Sequence, residues 1–171
     1  MEINNLKQEF INSFGEEKWN LEEALDKIRP ISKQLAAYLD VNELPIVSEQ
    51  IEEDSRMMFK DEYIILRNDI ALNYVEALKA IAHEYRHFYQ YTCIREKRTN
   101  EPLMKFYIED FIKINSTGYN PFDQDSYFSL IIELDAFAFQ KYYLDKFLNI
   151  KTSYPNKIYD EILNNFIKKY F

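Results

Sequence analysis

The chain has 171 residues, 47% of them hydrophobic, with 14 Tyr and 13 Phe, and a net charge of −8. That apolar content suffices for one buried core and argues against disorder. Two Gly and five Pro disfavour a turn-rich all-β fold. The acidic balance disfavours nucleic acid as a general partner, because phosphate binding draws on cationic surface.

The first apolar spacing, Ile3, Leu6, Phe10 and Phe14, predicts a helix that Gly15 can end. A second helix is expected to open at Asn20, with Glu23 as a capping-box partner, and to carry Leu21, Ala24, Leu25, Ile28, Leu35 and Leu39 inward. Pro30 lies inside this pattern and is expected to kink or divide it. Pro45-Ile46-Val47 reads as a short strand. Arg56-Met57-Met58-Phe59 and Tyr63-Ile64-Ile65-Leu66 read as a β-hairpin around Lys60-Asp61-Glu62, without a glycine at the turn.

Asn68 or Asp69 is then expected to cap a long helix over residues 70–94, with Val75, Leu78, Ala82, Tyr85 and Tyr89 as its core stripe. Cys93, the only cysteine, excludes an internal disulfide and reads as a small apolar residue near the end of this helix. Another helix is expected from Thr99 or Asn100 to Asn115, then a loop to Ser126. A helix over residues 127–150 is apolar on nearly every side and is expected to be buried. The last helix, residues 155–170, should face Ile158, Ile162, Leu163, Phe166 and Ile167 inward. No stretch has the apolar core of a signal peptide or the length of a membrane span, so a cytoplasmic protein without a membrane partner is expected.

The only two histidines sit in one pentapeptide, His83-Glu84-Tyr85-Arg86-His87. On a helix, positions i and i+4 share a face, so both imidazoles can reach one ion, and Glu84 stands where a general base for metal-assisted hydrolysis is needed. Zn2+ accepts neutral imidazole and carboxylate, and catalytic sites keep three protein ligands and an open position. With no third histidine, the third ligand is expected to be an acid. Glu133 and Asp135 lie in the apolar helix, where a carboxylate is costly unless it is paired or metal-bound. Two residues apart, they point to nearly opposite sides, and both cannot bind one ion from a regular helix. Glu133 is the candidate ligand, and Asp135 is expected to support the site or the fold. Glu109, Asp110, Asp123 and Asp125 read as solvated or capping residues. Glu76 either orients an imidazole or faces solvent.

Together the pentapeptide and the later acidic helix resemble small zincin-type metallopeptidases, closest to the gluzincin-like group. Glu133, Ala136 and Phe139 match the Glu-x-x-Ala-x-x-Phe helix of ImmA/IrrE-like peptidases, over a resemblance that covers about residues 44–145. The resemblance implies a single zincin-like domain over residues 1–171. Its fold would be α+β and predominantly helical, with a small sheet or hairpin beside the motif helix. It implies a hydrolase, a zinc-dependent protease acting on a peptide or protein, with His83, His87 and Glu133 as ligands and Glu84 as base on a zinc-activated water. Arg86, Tyr107 and Tyr119 are candidate donors to the oxyanion. Phe137 stands where related families place Asn or Asp, so the hydrogen bond made there must come from Asp135 or Glu76, or be absent. The alternative function is a zincin-fold regulatory or protein-binding module with little or no proteolysis. A helical protein without metal is the third reading.

Overall fold

In this computed structural model, residues 20–117, 129–154 and 156–171 are described. The expected N-terminal helix, most of the expected loop after Asn115, and Tyr119, Asp123 and Asp125 lie outside them. The fold is α+β and predominantly helical. Its first helix, α1 (Leu21–Leu39), opens on a complete capping box. The Glu23 amide donates to Asn20 Oδ1 at 3.0 Å, and the Asn20 amide donates back to Glu23 Oε2 at 3.2 Å. Pro30 does not divide α1. Proline removes the hydrogen bond to the carbonyl four residues earlier, here that of Asp26. Both residues are on the exposed face, where solvent can serve that carbonyl.

Three short strands follow: β1 (Ile46–Glu49), β2 (Ser55–Met58) and β3 (Tyr63–Arg67). β3 is central, antiparallel to β2 and parallel to β1. The hairpin forms as expected. Its turn is made without glycine by placing Glu62 at φ 54°, and Arg95 Nη1 donates to the Glu62 carboxylate at 2.6 Å.

The expected helix over residues 70–94 is in fact two, α2 (Asn68–Ala71) and α3 (Tyr74–Glu96). Asn73 causes the break. It leaves helical geometry at φ −102°, ψ 102° and caps α3 through the Glu76 amide. α3 is buried on nearly every side. Leu78, Ala82 and Tyr85 are in the core, whereas Val75 and Tyr89 are only half-buried. The remaining helices are α4 (Met104–Thr117), α5 (Ile131–Leu148) and α6 (Lys157–Tyr170).

α5 is buried as expected and divides the apolar interior in two. Phe139, Tyr143 and Leu144 join α1, the sheet and α3. Ile132, Leu134 and Ala138 join Leu103 and Tyr107 near α4 and Leu163 and Phe166 of α6. On α6 the expected inward face is too wide. Leu163 and Phe166 are buried, but Ile158 and Ile162 are exposed, because the inward stripe runs through Leu163 and Phe166 with Ile167 and Tyr170 partly buried beside them.

α3 packs on β2 and β3 on one side and most extensively on α5 on the other. Tyr85, fully buried inside the pentapeptide, ties α3 to α1. Its Oη is 2.6 Å from Ser32 Oγ and accepts from the Leu44 amide at 2.8 Å. Tyr85→Phe leaves that buried amide without an acceptor, and the expected loss in urea or thermal unfolding is about 1–3 kcal/mol.

Candidate metal centre

The structure brings His83, His87 and Glu133 together, all buried. The two histidines come from adjacent turns of α3, and Glu133 comes from the first turn of α5. Leu130, at the start of α5, has no side chain to cap the helix. Asp110 of α4 caps it instead, accepting from the Ile132 amide at 3.1 Å. This acid, expected to be solvated, thus secures the turn that carries Glu133. A carboxylate in a first turn is also favoured by the helix dipole.

His83 Nε2 and His87 Nε2 are 2.9 Å apart, and Glu133 Oε2 is 3.4 Å from each. An ion holding tetrahedral ligands at about 2.0–2.2 Å separates their atoms by roughly 3.3 Å, so the three-atom triangle is close to the required size. Glu133 Oε2 is buried without a hydrogen-bond partner among the described residues. Two imidazole nitrogens facing each other beside an unbonded carboxylate oxygen are costly unless a proton or cation lies among them. The group can hold a metal ion.

The charges reinforce one another. Burial pushes His87 down, but the Glu133 carboxylate outweighs it, with help from Glu84 and Gln90, and raises the imidazole to about 9 in the metal-free protein. Burial likewise pushes Glu133 up, and the nearby imidazoles, His87 foremost, bring it below the usual carboxylate range.

Asp135 lies apart from this group, as expected from its place on the helix. It is fully buried and accepts from Arg86 Nε at 2.7 Å, Arg86 Nη2 at 3.0 Å, Tyr107 Oη at 2.8 Å and Gln90 Nε2 at 2.8 Å. Two of the candidate oxyanion donors, Arg86 and Tyr107, are therefore committed to Asp135 and do not line the cleft. Burial and the Asp135 charge also push the Tyr107 hydroxyl far up, which keeps it a donor. Glu76 pairs with Lys79 at 2.8 Å and does not bond an imidazole.

The His83 ring packs on Phe137 with centroids 4.5 Å apart, and its Nδ1 has no hydrogen-bond partner among the described residues. Among the described residues an aromatic contact, and no hydrogen bond to Nδ1, holds the ring.

His83, His87, Glu133 and Glu84 line a cleft of about 730 Å³. Its walls include Ser55 and Met57 of β2, Phe111 of α4, Phe137 of α5, and Tyr154. Ser55 Oγ donates to Glu84 Oε1 at 2.7 Å. Sequence reasoning missed Ser55, Gln90 and Tyr154. A serine in a short strand carries no spacing signal, and a glutamine three residues after His87 is one of many polar helix positions. Comparison of the chain with protein-family models, curated proteins and solved structures returned no match.

Removing one partner of the buried ion pair leaves an uncompensated charge, so Asp135→Ala is expected to cost about 3–5 kcal/mol in denaturant unfolding. A second expectation concerns pH. The folded-state value of His87 lies above its unfolded value, so its stabilisation is complete below about pH 6.5 and is lost as pH rises through about 9. Chelator-treated protein should lose on the order of 1–3 kcal/mol between pH 6.5 and 9.5 by urea unfolding.

Proposed function

We propose that the chain is a zinc-dependent peptidase with His83, His87 and Glu133 as ligands and Glu84 as general base. One observation carries this reading: two imidazoles and a carboxylate with facing donor atoms share a cleft with the Glu that follows the first histidine. A set of two nitrogens and one oxygen suits zinc, and three protein ligands leave the open position that a catalytic site keeps. When bound, zinc supplies Lewis acidity to a scissile carbonyl and lowers the pKa of water.

The chain's own residues would supply the rest. Ser55 engages Glu84 Oε1, which leaves Oε2 to take a proton from water and return it to the leaving amine. Phe137 and Met57 make the cleft partly apolar, which strengthens electrostatic interactions within it. The cleft also favours an extended substrate. β2 is the edge of its sheet among the described residues and lines the cleft beside Glu84. An edge strand offers unpaired amides and carbonyls to which a peptide can add as a further strand.

Glu84→Gln keeps the shape of the site and removes the base. The variant should bind zinc like the parent while chelator-sensitive cleavage of a broad peptide library falls about 10²–10⁴-fold. Retained cleavage would remove Glu84 from the mechanism. A parent chain that binds zinc and cleaves nothing would favour the regulatory or binding module.

A further inference from the structure

The buried polar cluster around Asp135 reaches the candidate metal group through one residue, Gln90. Its side chain is fully buried and both its amide atoms have partners. Nε2 donates to the Ile132 carbonyl at 2.9 Å and to Asp135 Oδ2 at 2.8 Å, and Oε1 lies 2.9 Å from His87 Nδ1. Amide oxygen and nitrogen are not interchangeable here. A carbonyl cannot donate, and neither can a carboxylate held by Arg86 and Tyr107, so the nitrogen must face Ile132 and Asp135. Oε1 must then face His87. An oxygen there accepts, so Nδ1 is the ring nitrogen that bears hydrogen.

We propose that Gln90 is a positioning residue: Asp135, paired with Arg86, orients the Gln90 amide, and the amide fixes the His87 tautomer with Nδ1 protonated and the Nε2 lone pair aimed at Glu133 and His83. The inference rests on the zinc reading above only in that Nε2 is the atom offered to the ion. Metal-binding histidines generally have their other nitrogen tied to a carboxylate or carbonyl. In this chain the carboxylate acts at one remove, and an amide turns its negative charge into a directed acceptor. His87 is held in this way, whereas His83 is oriented by packing against Phe137 and has no such bond among the described residues. The two ligands of the pentapeptide are therefore supported unequally, and the relay makes His87 the better defined of the two.

The test uses the full 171-residue chain and two readouts that need no catalysis. Long-range ¹⁵N–¹H spectra of metal-free protein, with both imidazoles neutral, should show His87 protonated at Nδ1. Zinc affinity, measured by competition with a chromophoric chelator, should fall about tenfold to a hundredfold in Gln90→Leu. The same variant should lose the Nδ1 tautomer preference. Gln90→Met fills a similar volume without the amide oxygen and should lose as much affinity as Gln90→Leu, which a role in packing alone would not predict. Nε2-protonated His87 in the unmodified protein, or parental zinc affinity in Gln90→Leu, would overturn the proposal. The tautomer measurement on the unmodified chain decides the matter even if Gln90→Leu does not fold. Nδ1-protonated His87 in a chain without peptidase activity supports the relay and overturns only the hydrolytic reading.

Discussion

The buried ion pair between Arg86 and Asp135 is the constraint on which the arrangement of the site depends. Arg86 lies between the two histidines in α3, and Asp135 lies two residues after Glu133 in α5. A guanidinium that meets a carboxylate through two nitrogens at 2.7 and 3.0 Å allows little rotation or sliding between their helices. Tyr107 brings α4 to the same carboxylate. Three helices are thereby held in register by a contact outside the cleft. Such a pair contributes little net stability, because the desolvation of both charges offsets their attraction. Its effect is to specify one relative placement of α3 and α5, since any other would leave a charge buried and unpaired.

That placement lets α5 satisfy two acids that point to different sides of it. α3 presents two neighbouring stripes, His83 with His87 and Arg86 with Gln90. Glu133 faces the first and Asp135 the second. The acids therefore divide their tasks without helix distortion. The cationic stripe neutralises Asp135, and the imidazole stripe faces Glu133 together with room for an ion. Gln90 joins the two stripes. The rings of Tyr89, Phe139 and Phe171 lie near the Arg86 guanidinium, with centroids 4.4, 5.4 and 5.2 Å away, and complete its apolar surround.

The opposite side of α3 is more open. The small sheet reaches the cleft through β2, whose Ser55 hydroxyl touches Glu84. Arg67, in central β3, pairs with Asp54 at 2.9 Å and donates to the Glu52 carbonyl at 3.2 Å, so the rim just before β2 is tied to the sheet. One wall of the cleft is thus a rigid strand edge, and the other is a helix whose first turn is capped by Asp110. Both supports come from side chains distant in sequence from the histidines.

Periodicity and residue scarcity made much of this readable in advance. Two histidines four apart inside a long apolar-periodic segment have one geometric consequence, a shared helical face, so their meeting did not depend on the rest of the fold. The hairpin and the buried character of α5 followed from local pattern in the same way, because an apolar run that shows no polar face has to be covered. The break at Asn73 and the continuity of α1 through Pro30 were less accessible, since each depends on whether the local backbone is capped or solvated. The apolar helix pointed to Glu133 rather than Asp135 as the partner of the imidazoles, but the actual meeting depends on the rotation of α5 against α3, which is set by the Arg86 pair and by packing between segments about fifty residues apart. Ser55 and Gln90 acquire their roles in the same way: neither has a local signature, and each matters only through the long-range packing that brings it to Glu84 or His87.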